Sequence, residues 1–292
     1  MTLKIGFLCL LALPLYGAHA IEAKVDLSKG DLIDGEVRQV KITWPDSSKI
    51  PNFSLGAKVF NLYFPFFKSE TNPDEYYGLI AAPLGVENGE YSMRVETSHD
   101  KKVDVYVPVK IRKEVRTEEM IEAPEDNILP KNAAVVSRVA SEDLELKSIF
   151  KKTSPKKIWK ENFILPLEGK ISSTFGIYRV YSKHLRRRTH WGIDIKTPIG
   201  TKVHASAKGN VVLAKDLYFP GQTIIIDHGL GLYTGYSHLS KMKVKVGDPI
   251  KRGQIIGISG ISGKTSGPHL HWMAVNSKVK VDPLSLLKIN LK

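Results

Sequence analysis

The chain has 292 residues, of which 42% are hydrophobic and 25% charged, the texture of a globular protein with room for two cores, and no internal repeat or low-complexity tract stands out. Net charge is +13, from 43 Lys and Arg against 30 Asp and Glu. Such a balance usually points to nucleic acid, but the aromatic and basic interleaving of a recognition module is missing, which leaves an anionic extracellular polymer as the better partner.

In chain order, the first feature is Lys4 followed by an apolar run from Ile5 to Leu15 and then Ala18-His19-Ala20. This is the pattern of a secretory signal peptide over residues 1–20, cut after Ala20. The run is shorter than the roughly 20 residues a bilayer span needs, and no later segment is long enough either, so the protein is not expected to be an integral membrane protein. Cys9 is the sole cysteine and lies inside the run; removing the leader leaves a thiol-free chain, as suits an exported protein, and takes only Lys4 from the net charge.

Residues 21–112 read as short strands with period-two alternation, seen at Val40, Ile42 and Trp44, at Tyr91, Met93 and Val95 after the Asn88-Gly89 turn, and at Val103, Val105, Val107 and Val109. The expectation is an N-terminal β-sandwich without a catalytic constellation, since His99 stands alone beside Asp100. Residues 113–160 turn charged and Pro-broken, with Glu118, Glu119, Glu122, Glu125 and Asp126 opposite in sign to Arg186, Arg187 and Arg188. They read as a linker carrying one helix, from Ala140 to Lys152, where Leu144, Leu146, Ile149 and Phe150 recur among charges.

Residues 161–292 return to strands, at 169–173, 203–207, 210–213, 222–227, 232–237, 254–258 and 269–275, with glycine in nearly every gap. Seven or more short strands with tight turns predict an antiparallel sandwich or barrel-like sheet, so the fold class of the whole chain is mainly β. Within this stretch lie His190-Trp191-Gly192-Ile193-Asp194 and Gly267-Pro268-His269-Leu270-His271. They offer four groups suited to zinc, of which a catalytic site commonly uses three, with water in the fourth place. Residues two apart share a face only on a strand, so His269 and His271 imply one; the isoleucines at 193 and 195 and the turn at Thr197-Pro198-Ile199-Gly200 place His190 and Asp194 at another. Either motif alone is more often structural than catalytic. Six histidines in this one stretch, at 190, 204, 228, 238, 269 and 271, make chance a poor account.

Together with Phe175-Gly176, Pro198 to Val203, Ile226-Asp227-His228-Gly229, Tyr236-Ser237-His238-Leu239-Ser240, Val246-Gly247-Asp248, Gly253-Gln254 and Ser262-Gly263, these motifs resemble the lysostaphin and LytM-type zinc metallopeptidases of bacterial cell walls, over residues 161 to 288. The layout as a whole also resembles exported members with an immunoglobulin-like front domain. The resemblance implies Zn2+ held by His190, Asp194 and His271, with His269 as general base and His238 as a second non-ligand histidine that orients water or stabilises the tetrahedral intermediate. It further implies peptidoglycan as partner, hydrolysis of stem or cross-link peptide bonds, and a periplasmic or envelope location. The alternatives are a non-catalytic relative that regulates other wall hydrolases and a peptidase acting on glycine-rich proteins. His228 is expected to be structural and His204 to lie in the core, and packing is the expected role of Tyr181, Tyr233 and Tyr236.

Overall fold

The computed structural model describes residues 24–27, 30–44, 54–97, 105–121, 130–154, 156–181 and 186–289. The expected leader, His99, Val103, Glu122, Glu125 and Asp126 lie outside them. The chain divides into two compact units, Met1–Lys113 and Glu114–Lys292. Both are mainly β, as the alternation and turn spacing require.

The first unit contains β1 (Lys24–Leu27), β2 (Leu32–Ile33), β3 (Val37–Thr43), β4 (Leu55–Val59), β5 (Leu62–Lys68), β6 (Glu75–Ala81), β7 (Gly89–Thr97) and β8 (Val105–Arg112), in the order β1-β3-β6-β5-β4-β7-β8-β2. β5 changes partner midway: Leu62 to Pro65 pair with β4 and Phe66 to Lys68 with β6. A strand that passes from one sheet to the next is how a sandwich turns its corner. Val40, Ile42, Trp44, Met93, Val95, Val107 and Val109 are all buried, the faces that the period-two pattern assigns to the core.

The second unit contains β9 (Glu118–Ile121), α1 (Ala133–Lys151), β10 (Lys170–Ser173), β11 (Tyr178–Tyr181), β12 (Arg186–Thr189), β13 (Ile193–Lys196), β14 (Lys202–His204), β15 (Gly209–Leu217), β16 (Gly221–Gly229), β17 (Leu232–Met242), β18 (Pro249–Ile250), β19 (Ile255–Ser259), β20 (His269–Asn276) and β21 (Val279–Val281). The main sheet runs β10-β13-β20-β17-β16-β15-β18, with β14 and β19 bracing β17 and β21 edging β20. It curls toward a closed barrel. Buried residues run almost unbroken along β16 and β17 because both faces of these strands are covered.

The stretch read as a linker is more structured than its charge pattern implies. Its helix begins at Ala133, seven residues before the expected start, because the Asn132 side chain accepts from the Ala134 and Val135 amides and Ala133 to Val136 tolerate a helix without contributing a hydrophobic stripe. Leu146, Ile149 and Phe150 pack on Leu213, Leu217, Ile225, Tyr233 and Val275, and the buried Glu142 accepts from the Tyr218 amide while pairing with Arg138. β9 pairs in parallel with β11, forming the three-stranded sheet β12-β11-β9. Among the described residues, no helix is long and apolar enough to cross a membrane.

His228 sits inside this unit, fully buried and fully bonded. Its Nδ1 donates to the Lys208 carbonyl at 2.8 Å, and its Nε2 lies 2.7 Å from Thr234 Oγ1, which in turn meets the Tyr236 hydroxyl at 2.9 Å. The place is structural, and Tyr236 and Tyr233 are likewise buried, the latter donating to the Lys152 carbonyl. Tyr181 is half-buried, and so is His204, which lies at the edge of the core with Nδ1 near the Pro166 carbonyl. Burial pushes the His228 imidazole down from 6.5 to about 4, so the unfolded chain binds a proton there that the folded chain does not. Its contribution is full above pH 6.5 and is lost as pH falls toward 4, a change on the order of 3 kcal/mol. His228→Gln should flatten the pH dependence of the urea-unfolding free energy in that window by up to about 1.4 kcal/mol per pH unit; equal slopes in parent and variant would contradict this assignment.

Candidate metal centre

β13 and β20 are antiparallel neighbours in a register that sets Asp194 directly opposite His271, with Lys196 opposite His269. On one face of the pair stand Asp194, His269 and His271; on the other, Ile193, Ile195, Leu270 and Trp272 are essentially inaccessible to water. His190 precedes β13, and its backbone is tied to the segment before β11 through Gly176 N to His190 O (2.8 Å) and His190 N to Ile177 O (3.0 Å).

Three donor atoms converge. His190 Nε2 lies 3.0 Å from Asp194 Oδ1 and 3.1 Å from His271 Nδ1, and His271 Nδ1 lies 2.8 Å from the same carboxylate oxygen. A tetrahedral zinc with bonds near 2.05 Å holds its ligands about 3.3 Å apart, so this triangle fits such an ion with a shift of a few tenths of an ångström. Among the described residues this is the one group of three or more His, Cys, Asp or Glu with metal-binding geometry. The imidazole orientation is set from behind: His190 Nδ1 donates to the Thr174 carbonyl at 2.8 Å, leaving Nε2 free for a cation.

His269 and His238 flank the triangle without joining it. His269 Nε2 is 3.5 Å from Asp194 Oδ1, and the His238 ring centre lies 4.7 Å from that of His269 and 6.1 Å from that of His271. Each donates through Nδ1 to a backbone carbonyl, His269 to Gly267 at 2.8 Å and His238 to Ser262 at 2.9 Å, which leaves Nε2 as the atom each can offer to the site. Burial, reinforced by His271 and His269, pushes His238 down to about 3, so it is neutral under ordinary conditions. His238 also holds a left-handed backbone, φ 61°, an uncommon conformation for a side-chain-bearing residue. Its amide donates to Pro220 O at 2.9 Å.

Two close approaches shape the site. A Cβ on Gly192 would lie 2.5 Å from Trp272 O and 2.7 Å from the His271 ring, so only glycine lets the chain pass under that ligand. Gly221 and Gly263, both at positive φ, press backbone to backbone and seat the 260–267 loop whose carbonyls orient His238 and His269.

Asp194 is buried, which alone would raise its carboxyl, yet hydrogen bonds and charge from His190 and His271 hold it well below the usual carboxylate range. Its other oxygen, Oδ2, accepts from the Arg179 guanidinium. The sequence reading named all five residues that the structure brings together, but it did not single out Arg179, Ser173 or Thr174. Of the arginine triplet, Arg187 pairs with Glu118 and lies over Tyr178, and Arg188 lies over Phe219.

Three ligand atoms around one point, with two further histidines beside them on an antiparallel sheet, define a metal-dependent hydrolase. Residues 188–283 match the model of peptidase family M23, and the chain carries an M23 metallopeptidase domain of the LytM type. Among curated proteins it is similar to peptidoglycan DD-endopeptidase ShyA of Vibrio cholerae, 39% identical over 128 residues, covering 43% of this chain and 29% of that one. It is also similar to DD-carboxypeptidase/endopeptidase Mpg of Neisseria meningitidis, 38% identical over 117 residues, covering 40% of this chain and 27% of that one. The chain thus spans less than a third of the length of either. A solved structure described as a peptidase M23 from Pseudomonas aeruginosa aligns with TM-score 0.68 over 88% of this chain and 96% of that one; at 24% identity the likeness is of fold.

Replacing His271 by Ala should weaken metal binding by more than about 100-fold, because a ligand is lost. His269→Ala and His238→Ala should keep the metal and the fold while turnover falls roughly 10²- to 10⁴-fold, the usual cost of losing a positioned acid or base. Metal content after dialysis, measured beside turnover, separates the two classes; release of metal from His269→Ala as readily as from His271→Ala would reverse the roles.

Proposed function

We propose that the protein is an exported zinc metallopeptidase that hydrolyses peptide bonds in the stems or cross-links of peptidoglycan. The observation that carries the reading is the convergence of His190 Nε2, Asp194 Oδ1 and His271 Nδ1 on one point, with His269 Nε2 and the His238 ring close by. The donor set favours zinc: two imidazoles and a carboxylate in a compact triangle suit a tetrahedral ion and leave one position open. When bound, zinc polarises a carbonyl oxygen and makes water acidic enough to serve as a nucleophile near neutral pH.

The protein's own groups supply the rest. His269 is the general base: the Gly267 carbonyl fixes its Nδ1 proton, so Nε2 takes the proton of the attacking water and returns it to the leaving amine. His238, held neutral by burial and anchored on Ser262 O, orients the water or steadies the developing oxyanion. The basic balance of the chain complements the carboxylates of wall peptides, and both curated relatives described above are named for peptidoglycan or DD-peptide cleavage. The expected leader at residues 1–20 supports delivery to the periplasm or cell envelope.

The test is digestion of purified muropeptides of defined cross-linking, with mass analysis of the products. The expected result is cleavage of a stem or cross-link amide, abolished by a chelator and restored by Zn2+, with one zinc per chain. A folded, zinc-loaded chain that leaves every muropeptide intact while stimulating another wall hydrolase would replace this reading with the regulatory one, and turnover of glycine-rich proteins alone would replace the substrate.

A further inference from the structure

Behind the metal ligands lies a polar network supplied from ahead of the M23 segment. Arg179 on β11 donates through Nη2 to Asp194 Oδ2, and the same atom meets Ser173 Oγ at 3.0 Å. Ser173 Oγ lies 3.3 Å from His190 Nδ1. Both Arg179 and Ser173 are in turn held by one carboxylate: Glu119 Oε2 is 3.4 Å from Arg179 Nε and 3.2 Å from Ser173 Oγ. Glu119 reaches them because β9 pairs in parallel with β11 in a register that sets Glu119 beside Arg179, 60 residues later in the chain. None of Glu119, Ser173 or Arg179 lies within residues 188–283.

We infer that Glu119 is a positioning residue for the metal centre, acting through Arg179 and Ser173 on the ligands Asp194 and His190. The reasoning is electrostatic and geometric. Asp194 divides its oxygens, Oδ1 toward the metal triangle and Oδ2 toward the guanidinium. A guanidinium paired with Asp194 alone draws charge from the carboxylate that must donate to a cation, whereas one shared with Glu119 draws less and is fixed in orientation by its fork. Groups in this position behind a ligand typically change metal affinity 10- to 100-fold. The segment ahead of the M23 match is therefore part of the metal site, and its displacement loosens the metal.

The inference rests on the metal-binding reading above, and the test separates the two. In the full-length chain, Zn2+ affinity is measured by chelator competition and the ligand field by the visible absorption of the Co2+-substituted protein, with circular dichroism as the check on folding. Glu119→Gln should bind Zn2+ about 10-fold more weakly and shift the Co2+ bands. Glu118→Gln, on the same strand but paired with the exposed Arg187, should change neither. In an Arg179→Lys background, Glu119→Gln should add less than it costs the parent, because its route to Asp194 is already broken and only the one through Ser173 to His190 remains. A parent chain that binds no metal overturns the metal-binding reading and this inference with it. A parent that binds, with Glu119→Gln equal to it in affinity and spectrum, overturns the inference alone. Equal weakening by Glu118→Gln and Glu119→Gln also overturns it, since strand docking and not Glu119 would then be responsible.

Discussion

The register between β13 and β20 is the constraint on which the site depends. A strand alternates faces with period two, so a one-residue slip of β13 would send Asp194 into the core and expose Ile193 and Ile195, and a slip of β20 would do the same to His269 and His271 against Leu270 and Trp272. Those four side chains are at most 1% exposed, and burial of each is worth roughly 2 kcal/mol, so their combined preference is several kcal/mol for one register. A buried carboxylate and clustered imidazoles would, without a cation, favour solvation and dispersal. The apolar face outweighs that tendency and holds the ligands in place before any metal arrives.

The site has two supports that share few residues. The ligands depend on the β13 and β20 pair, on Gly192 beneath His271, and on Thr174, Ser173 and Arg179 behind His190 and Asp194. The flanking histidines depend on backbone carbonyls of the 260–267 loop and on the packing of Gly221 against Gly263. Rigid strands suit metal ligands, whose donor atoms must meet within tenths of an ångström. A pinned loop suits groups that exchange protons with substrate and need only reach.

Much of this was legible in the sequence because the decisive signals are local. His-x-His demands a strand, and isoleucines on either side of Asp194 identify its neighbour as another; the resemblance to LytM-type peptidases then divided ligands from flanking histidines. What was not legible depends on long-range pairing or on unusual turns. β4 and β5 turn through Phe60 and Asn61, both at positive φ, without the glycine that usually marks a tight hairpin, and β5 carries Pro65 at the point where it changes partner. The start of α1 lacks apolar periodicity and is specified instead by Asn132. The opposite charges of Glu118 and the Arg186 to Arg188 run foreshadowed one pairing, Arg187 with Glu118, but nothing in the sequence shows that Glu119 meets Arg179, 60 residues away.

That last case bears on where a catalytic domain begins. Charge and proline content placed residues 113–160 outside the peptidase, and the family match starts later still, at residue 188. Contacts place the described residues from Glu114 onward in the same compact unit as that match: α1 covers part of the sheet through Leu146, Ile149 and Phe150, and β9 completes the small sheet whose middle strand carries Arg179. A truncation at residue 161 therefore removes more than a spacer, since it uncovers apolar surface on Leu213, Leu217 and Tyr233 and strips Glu119 from the network behind Asp194. Boundaries drawn from sequence texture follow solvation; those drawn from hydrogen bonds follow the forces that hold the ligands, and in this fold the second begin near Glu114.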